Sequence, residues 1–311
     1  MKARGFGVSL SPGETVGNVE LLKKKLEKIV SLGFDCVEIP IQGLRVIRNG
    51  VVDEKRLRMY AEAIKPFPLR IAAHAPFDLN LFRADEKARE IDRLGFMAAL
   101  EASGALGAET MVYHVGRFVG EEQFLHERHW PRWTEGERRK LLEEERQFMR
   151  FAGDRAAALG LRIGMENMRP YLDCPDYCYS VVPSALADQV RDIRHPNVGI
   201  TLDTGHAWIA TGMYRLDLRT EITAVAPYIV HLHVHDNFGR ACYSTEKNQN
   251  ELLVLGRGDM HAPIGDGTVP MRDILAWIGD GVDALVIHEL RDMYEVEWPA
   301  LEKRWKELSR S

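Results

Sequence analysis

The chain is short of the features that would tie it to an oxidising compartment, a bilayer or a polyanion. Only four cysteines occur among 311 residues, Cys36, Cys174, Cys178 and Cys242. No two of them form a Cys-x-x-C pair, so reduced thiols in a cytoplasmic setting are expected, not a disulfide framework. Every hydrophobic run is too short to span a bilayer. Met1-Lys2-Ala3-Arg4 imitates the charged start of a secretory signal, but Ser9, Pro12, Gly13 and Glu14 interrupt the apolar run that should follow. Positive charge is not in excess: 41 Lys and Arg face 46 Asp and Glu, a formal net charge of −5. That balance disfavours nucleic acid and anionic membrane as partners. No glycine-rich phosphate loop stands out, so a phosphorylated substrate is not assumed. Pro-, Gly- or Ser-rich linkers are also missing, which leaves residues 1–311 as one domain.

What is present begins with Ile229-Val230-His231-Leu232-His233-Val234-His235-Asp236-Asn237, where three histidines alternate with aliphatics. A period of two is that of a strand. Val230, Leu232 and Val234 then face a packed layer, and the histidines share the other side, which an interior tolerates only with polar partners or metal. Strands are also expected over 6–10, 34–39, 69–74, 110–115, 161–166, 197–203 and 284–289. Helical spacing separates them: Val19, Leu22, Leu26, Ile29 and Val30 run up to Gly33, 53–64 stops before Pro66, 86–106 ends at Gly107, and 135–159 closes at Gly160. Asn49-Gly50 marks a turn.

Eight strand–helix repeats in a chain of this length predict the α/β class and a single (β/α)8 TIM barrel, with a doubly wound open sheet as the second choice. Small residues at presumed inward positions (Ala72, Gly164, Gly199, Thr201) and larger ones outward (Ile163, Met165, Ile200, Leu202) favour closure. Three connections, 117–136, 169–183 and 237–266, exceed ordinary length and follow the fourth, fifth and seventh strands. They are expected to cover the catalytic face.

The last inward residue of each strand then carries chemistry: His74, His114, Glu166, Asp203 with His206 behind it, His233 and Glu289, joined by Asp259 and His261 from the seventh loop. So many acids and imidazoles at one face are electrostatically costly without cations. Carboxylate oxygen with imidazole nitrogen suits manganese, zinc, iron or cobalt.

With these residues in place, His74-Ala75-Pro76-Phe77-Asp78-Leu79-Asn80-Leu81, Asp203-Thr204-Gly205-His206-Ala207, His233-Val234-His235-Asp236-Asn237 and Asp259-Met260-His261-Ala262-Pro263-Ile264-Gly265-Asp266-Gly267 resemble signatures of the xylose isomerase-like TIM-barrel superfamily. That group includes tagatose-type ketose epimerases and other sugar isomerases, and endonuclease IV. The resemblance spans most of the chain. It implies a single metal site at Glu166, Asp203, His233 and Glu289, filled by manganese or zinc, or else by magnesium, cobalt or iron. His74, His114, His206 and His235 would serve the substrate, and His231 would be an interior histidine. The endonuclease IV pattern instead implies three zincs, with His74, His114, His206, Asp259 and His261 as additional ligands.

The reading that follows is a divalent-metal-dependent isomerase or epimerase of a sugar or sugar-like ketone. It would work by enediolate proton transfer, with Glu166 and Glu289 as catalytic acid and base. The alternatives are a trinuclear-zinc endonuclease acting at abasic sites, and a keto-sugar lyase or dehydratase on the same barrel. Asp78, beside the predicted site, would repel a phosphate backbone. The expected partner is a small carbohydrate, not nucleic acid or membrane, and the reading leaves room for a homo-oligomer.

Overall fold

In the computed structural model, which describes residues 2–309, the alternating segments form eight strands closed into a barrel. They are β1 (Lys2–Ser9), β2 (Cys36–Pro40), β3 (Arg70–His74), β4 (Ala108–His114), β5 (Arg162–Glu166), β6 (Val198–Asp203), β7 (Ile229–Val234) and β8 (Asp283–His288). Each strand pairs in parallel with the next, and β8 closes on β1 from Lys2↔Asp283 to Val8↔His288. The helices are α1 (Val19–Ser31), α2 (Glu54–Ile64), α3 (Glu86–Ala105), α4 (Glu135–Leu159), α5 (Pro183–Ile193), α6 (Thr204–Tyr214), α7 (Leu218–Val225), α8 (Met271–Ile278) and α9 (Trp298–Ser309). This is a (β/α)8 TIM barrel.

Side-chain parity does the sorting. Outward residues such as Ile163, Met165, Ile200 and Leu202 join helix residues such as Leu22, Leu26 and Ile29 in the main core, each full burial contributing roughly 1.5–3 kcal/mol. Inside the barrel Cys36, Ala72, Leu285 and Ile287 form a smaller cluster. Some inward positions must be small to make room for their neighbours: a Cβ at Gly164 would lie 2.1 Å from Thr201 Oγ1. The helix boundaries follow their capping chemistry. Thr134 Oγ1 accepts from Glu137 N, the Glu137 carboxylate accepts from Thr134 N, and Gly160 ends α4 in the left-handed region at φ 74°.

Two departures have physical causes. β1 begins at Lys2, ahead of the expected 6–10, because β8 supplies main-chain partners to a stretch without apolar alternation, and Arg4 pairs with Glu109 and Asp283. The Asn49-Gly50 turn carries a small hairpin, Ile47–Arg48 against Val51–Val52, with φ 48° and 74° at the turn residues.

The three long connections lie over the C-terminal ends of the strands and are tied to one another. Val119 N donates to Tyr177 O, Leu172 N to Cys242 O, and Ser244 Oγ to Asp173. The indoles of Trp130 and Trp133 donate to Gln123 O and Phe118 O within their own loop. All four cysteines are buried free thiols. No helix among the described residues is long and apolar enough to cross a membrane.

Candidate metal centre

The barrel brings all nine predicted ligands to one end. Three sets of ligand atoms, each within 4.8 Å of one another, adjoin there: Glu166, Asp203, His233 and Glu289; His74, His114 and Glu166; and His206, His235, Asp259 and His261. Glu166 belongs to two of them. Strand geometry explains the placement, since His74, His114, Glu166 and Asp203 each end their strands. Asp203 also caps α6 by accepting from His206 N at 2.7 Å, which fixes His206 on the first helical turn.

Hydrogen bonds decide which imidazole nitrogens face inward. His74 Nδ1 donates to Ala75 O at 2.8 Å, His114 Nδ1 to Phe77 O at 3.3 Å, His206 Nδ1 to Asn167 O at 2.9 Å and His261 Nδ1 to Glu289 O at 2.8 Å. A carbonyl can only accept, so each Nδ1 carries a proton, and in the neutral ring each Nε2 presents a lone pair. Those lone pairs point at carboxylates: His74 and His114 Nε2 lie 3.5 and 3.2 Å from Glu166 Oε2, and His206 and His261 Nε2 lie 3.4 and 2.7 Å from Asp259 Oδ2. Lone pair against carboxylate repels unless a proton or a metal cation sits between them. Consistent with this, His74 Nε2, Glu166 Oε2, His206 Nε2, Asp259 Oδ1 and Glu289 Oε2 are buried without a hydrogen-bond partner. The donor set therefore fits divalent cations of the oxygen- and imidazole-binding kind.

The charges hold one another in place. Burial opposes the Glu166 anion, but His233, His114 and His74 outweigh it and keep the carboxyl well below the usual range. Glu289 is likewise held low against burial by His233 and His261, and Asp259 by His261 and His206. Burial also opposes the His206 cation, yet Asp203, Asp259 and Glu166 push it up to about 10.

A cavity of about 220 Å³ opens onto the centre, lined by His114, Glu166, His206, His261 and Glu289 together with Phe77, Asp78, Glu121, Arg169 and Arg291. A larger groove of about 880 Å³ lies on the outside between α1 and α2, away from these groups, and chemistry belongs to the smaller one. Sequence reasoning missed Glu121, Arg169 and Arg291. Arg169 is held by Tyr171 Oη at 2.8 Å and by Asp259 at 3.4 Å, and Arg291 Nη2 also lies 3.4 Å from Asp259.

It also missed Glu38, which ends up inside the barrel with Oε2 2.9 Å from His231 Nε2 and 3.0 Å from His233 Nε2. Burial opposes its charge, but His233 and His231 hold it down to about 2. A lone carboxylate between Val37 and Ile39 was the available signal.

His235, assigned to substrate from the sequence, is fully buried, binds Asp203 through Nε2 at 3.0 Å and stacks on His261. It is not among the residues lining the cavity. His74 lines a separate pocket of about 80 Å³ that shares Phe77, His261 and Glu289 with the first. Asp236 serves the backbone, accepting from Gly265 N and Val269 N. His288 packs edge-on against Phe6.

Comparison with known proteins agrees with this architecture. The chain is 26% identical over 292 residues to the uncharacterized protein MJ1311 of Methanocaldococcus jannaschii, covering 92% of this chain and 85% of that one. It is 24% identical over 208 residues to a probable endonuclease 4 of Mycobacterium leprae, covering 67% of this chain and 71% of the relative. Among solved structures, a D-tagatose 3-epimerase-like protein superposes with a TM-score of 0.66 at 24% identity over 98% of both chains. The family model described as the xylose isomerase-like TIM barrel matches residues 26–310, nearly the whole barrel and every predicted ligand, and the chain belongs to that family.

Proposed function

We propose that the protein is a divalent-cation-dependent isomerase or epimerase of a sugar or sugar-like ketone. The observation that carries this reading is the convergence of Glu166, Asp203, His233 and Glu289 on one point, with both glutamates also lining a cavity of about 220 Å³. Glu166 Oε1 and Glu289 Oε2 lie 3.1 and 3.2 Å from the same atom, His233 Nδ1, so the two carboxylates flank whatever occupies that point. In this reading one of them removes the proton from the carbon beside a carbonyl and the other returns it. Carboxylates held as low as these are weak bases, and removal of a carbon-bound proton needs positive charge against the substrate oxygen that becomes anionic. A divalent cation held by the four residues supplies that charge. His206 and His114, on the cavity wall, orient the substrate's remaining oxygens, and the interlocked loops restrict water. The tagatose epimerase-like neighbour supports the class without naming the substrate.

The test is solvent exchange. Metal-replete protein offered a panel of ketoses in heavy water should place deuterium at the carbon next to the carbonyl of any sugar it turns over, and neither Glu166→Gln nor Glu289→Gln should do so. Turnover with full retention of the original hydrogen would point to hydride transfer, and product lacking the elements of water would point to a dehydratase.

A second reading has its own support. His74 with His114, and His206 with Asp259 and His261, complete two further cation-capable sets, the number a three-metal phosphodiesterase requires, and one relative is named a probable endonuclease 4. Asp78 and Glu121 on the cavity wall count against phosphate backbones. Zinc-loaded protein should leave duplex DNA with an abasic site intact; efficient incision that disappears in Glu166→Gln would reverse the ranking.

A further inference from the structure

We infer that Glu38 is a positioning residue for the metal centre: its carboxylate accepts the hydrogen bond of His233 Nε2–H and so commits the opposite nitrogen, Nδ1, to the cation. Four other imidazoles of the centre, those of His74, His114, His206 and His261, anchor their Nδ1–H on main-chain carbonyls and present Nε2. His233 is turned the other way. Its Nδ1 faces Glu166 and Glu289 at 3.1 and 3.2 Å, and its Nε2 lies 3.0 Å from Glu38 Oε2.

Both ring nitrogens face carboxylates; with a cation on the Glu166 and Glu289 side the one proton left on the ring resides on Nε2, where ionised Glu38 can only accept, and the Nδ1 lone pair is directed at the centre. A charged acceptor makes this bond stronger than a carbonyl would and raises the electron density of the ligating nitrogen.

The carboxylate itself is immobilised. Glu38 is 1% exposed, its neighbours Val37 and Ile39 are buried in the main core, and its carbonyl accepts from Leu10 N. His231 Nε2 reaches the same Oε2 at 2.9 Å, with its ring at 77° to that of His233. An oxygen receiving two N–H groups from different directions has little freedom to turn, so His231 steadies Glu38, and Glu38 orients His233.

This inference rests on the cation reading of the Glu166 centre but not on any substrate, and its test reads metal binding. In the Co2+-loaded wild-type protein, proton NMR should show a hyperfine-shifted exchangeable signal from His233 Nε2–H that survives transfer to heavy water. Its absence overturns the proposal.

In Glu38→Gln and Glu38→Ala that signal should vanish or exchange rapidly, and Zn2+ affinity should fall roughly 10–100-fold with circular dichroism unchanged. Glu38→Gln nearly keeps the shape and decides the matter if the alanine variant does not fold. His231→Gln removes the steadying contact but leaves the Glu38–His233 bond in place, and should cost clearly less affinity than Glu38→Gln. Equal loss in His231→Gln and Glu38→Gln would mean a merely structural trio. Unchanged affinity in Glu38→Gln would remove Glu38 from the centre while leaving the proposed function standing, whereas wild-type protein without stoichiometric metal would sink both.

Discussion

Glu166, like His233, belongs to two cation-capable sets at once, and of the two it alone also lines the cavity of about 220 Å³, so its replacement should cost more than any other. Glu166→Gln keeps the shape but removes a negative ligand from both sets and a proton acceptor from the cavity. Turnover should drop by a factor on the order of 10²–10⁴, with metal content per chain falling in elemental analysis. Glu289→Gln should show a similar loss of turnover with a smaller loss of metal, because it contributes to one set. His126, exposed in the fourth loop, is the control, and His126→Ala should leave both unchanged. Gly205 is required for a different reason. A Cβ there would come 2.1 Å from His235 Cε1, so Gly205→Ala must push the imidazole away from Asp203. Overpacking of this kind should destabilise the fold by roughly 1–3 kcal/mol, measurable by urea unfolding, and should weaken metal binding at both sets that touch Asp203 and His235.

Among the elements, the connection after β7 shows how a loop can hold ligands as firmly as a strand. Asp259 and His261 lie on it, and His261 sits in the left-handed region at φ 45°, a conformation that persists only where surroundings enforce it. Asp236 does the enforcing. Its carboxylate accepts from Asn237 N, Gly265 N and Val269 N at 2.8–2.9 Å, and its main chain exchanges hydrogen bonds with Ala262, next to His261. Removing the carboxylate leaves buried donors unsatisfied. Asp236→Ala should therefore cost about 2–5 kcal/mol and weaken any cation binding at the His206, Asp259 and His261 set more than at the Glu166 set. Stepwise chelator titration of the two proteins checks this, and identical release profiles would show that the loop is held by other means. The charged stretch at the C-terminal end of β7, read from the sequence as part of a site, thus divides its labour: His233 faces the centre, and Asp236 ties the loop.

Taken whole, the metal-free molecule stores histidine cations and carboxylate anions side by side, and this gives its stability a predictable dependence on pH. Burial opposes charge on His206, yet its acidic neighbours raise it from 6.5 to about 10. A group raised in the folded state contributes stability that is complete below its unfolded value and is lost as pH rises through the folded one. The loss therefore runs from about pH 6.5 to pH 10. Glu166, Glu289 and Asp259 are shifted the other way, below 4.5, 4.5 and 3.8, so their contribution is present above those values and disappears on acidification. Chelator-treated wild type should lose melting temperature as pH is raised from 6.5 to 10, and His206→Gln should flatten that slope. A cation at the His206, Asp259 and His261 set would replace the His206 proton, so protein loaded there should also be flatter. Equal slopes in all three would refute the argument.

The period-two pattern by itself determined the barrel and most of the centre. In an alternating strand the residues that share the parity of the small inward positions reach the inner face, so His74, His114, Glu166, Asp203 and His233 could be placed there from spacing, and long connections announced the covered end. Strand starts were less legible, because β1 begins in a stretch that only pairing with β8 makes extended. Glu38 obeys the same parity rule as the rest. Its meaning lies in partners 193 and 195 residues away across the barrel, and closure alone brings such positions together. The direction of each imidazole was likewise beyond the sequence. Whether Nδ1 or Nε2 faces a cation depends on which acceptor stands behind the ring, a carbonyl for His74, His114, His206 and His261 or a carboxylate for His233. Tertiary structure decides that, because hydrogen-bond direction is set by where the barrel puts the acceptors and not by the order of residues along a strand.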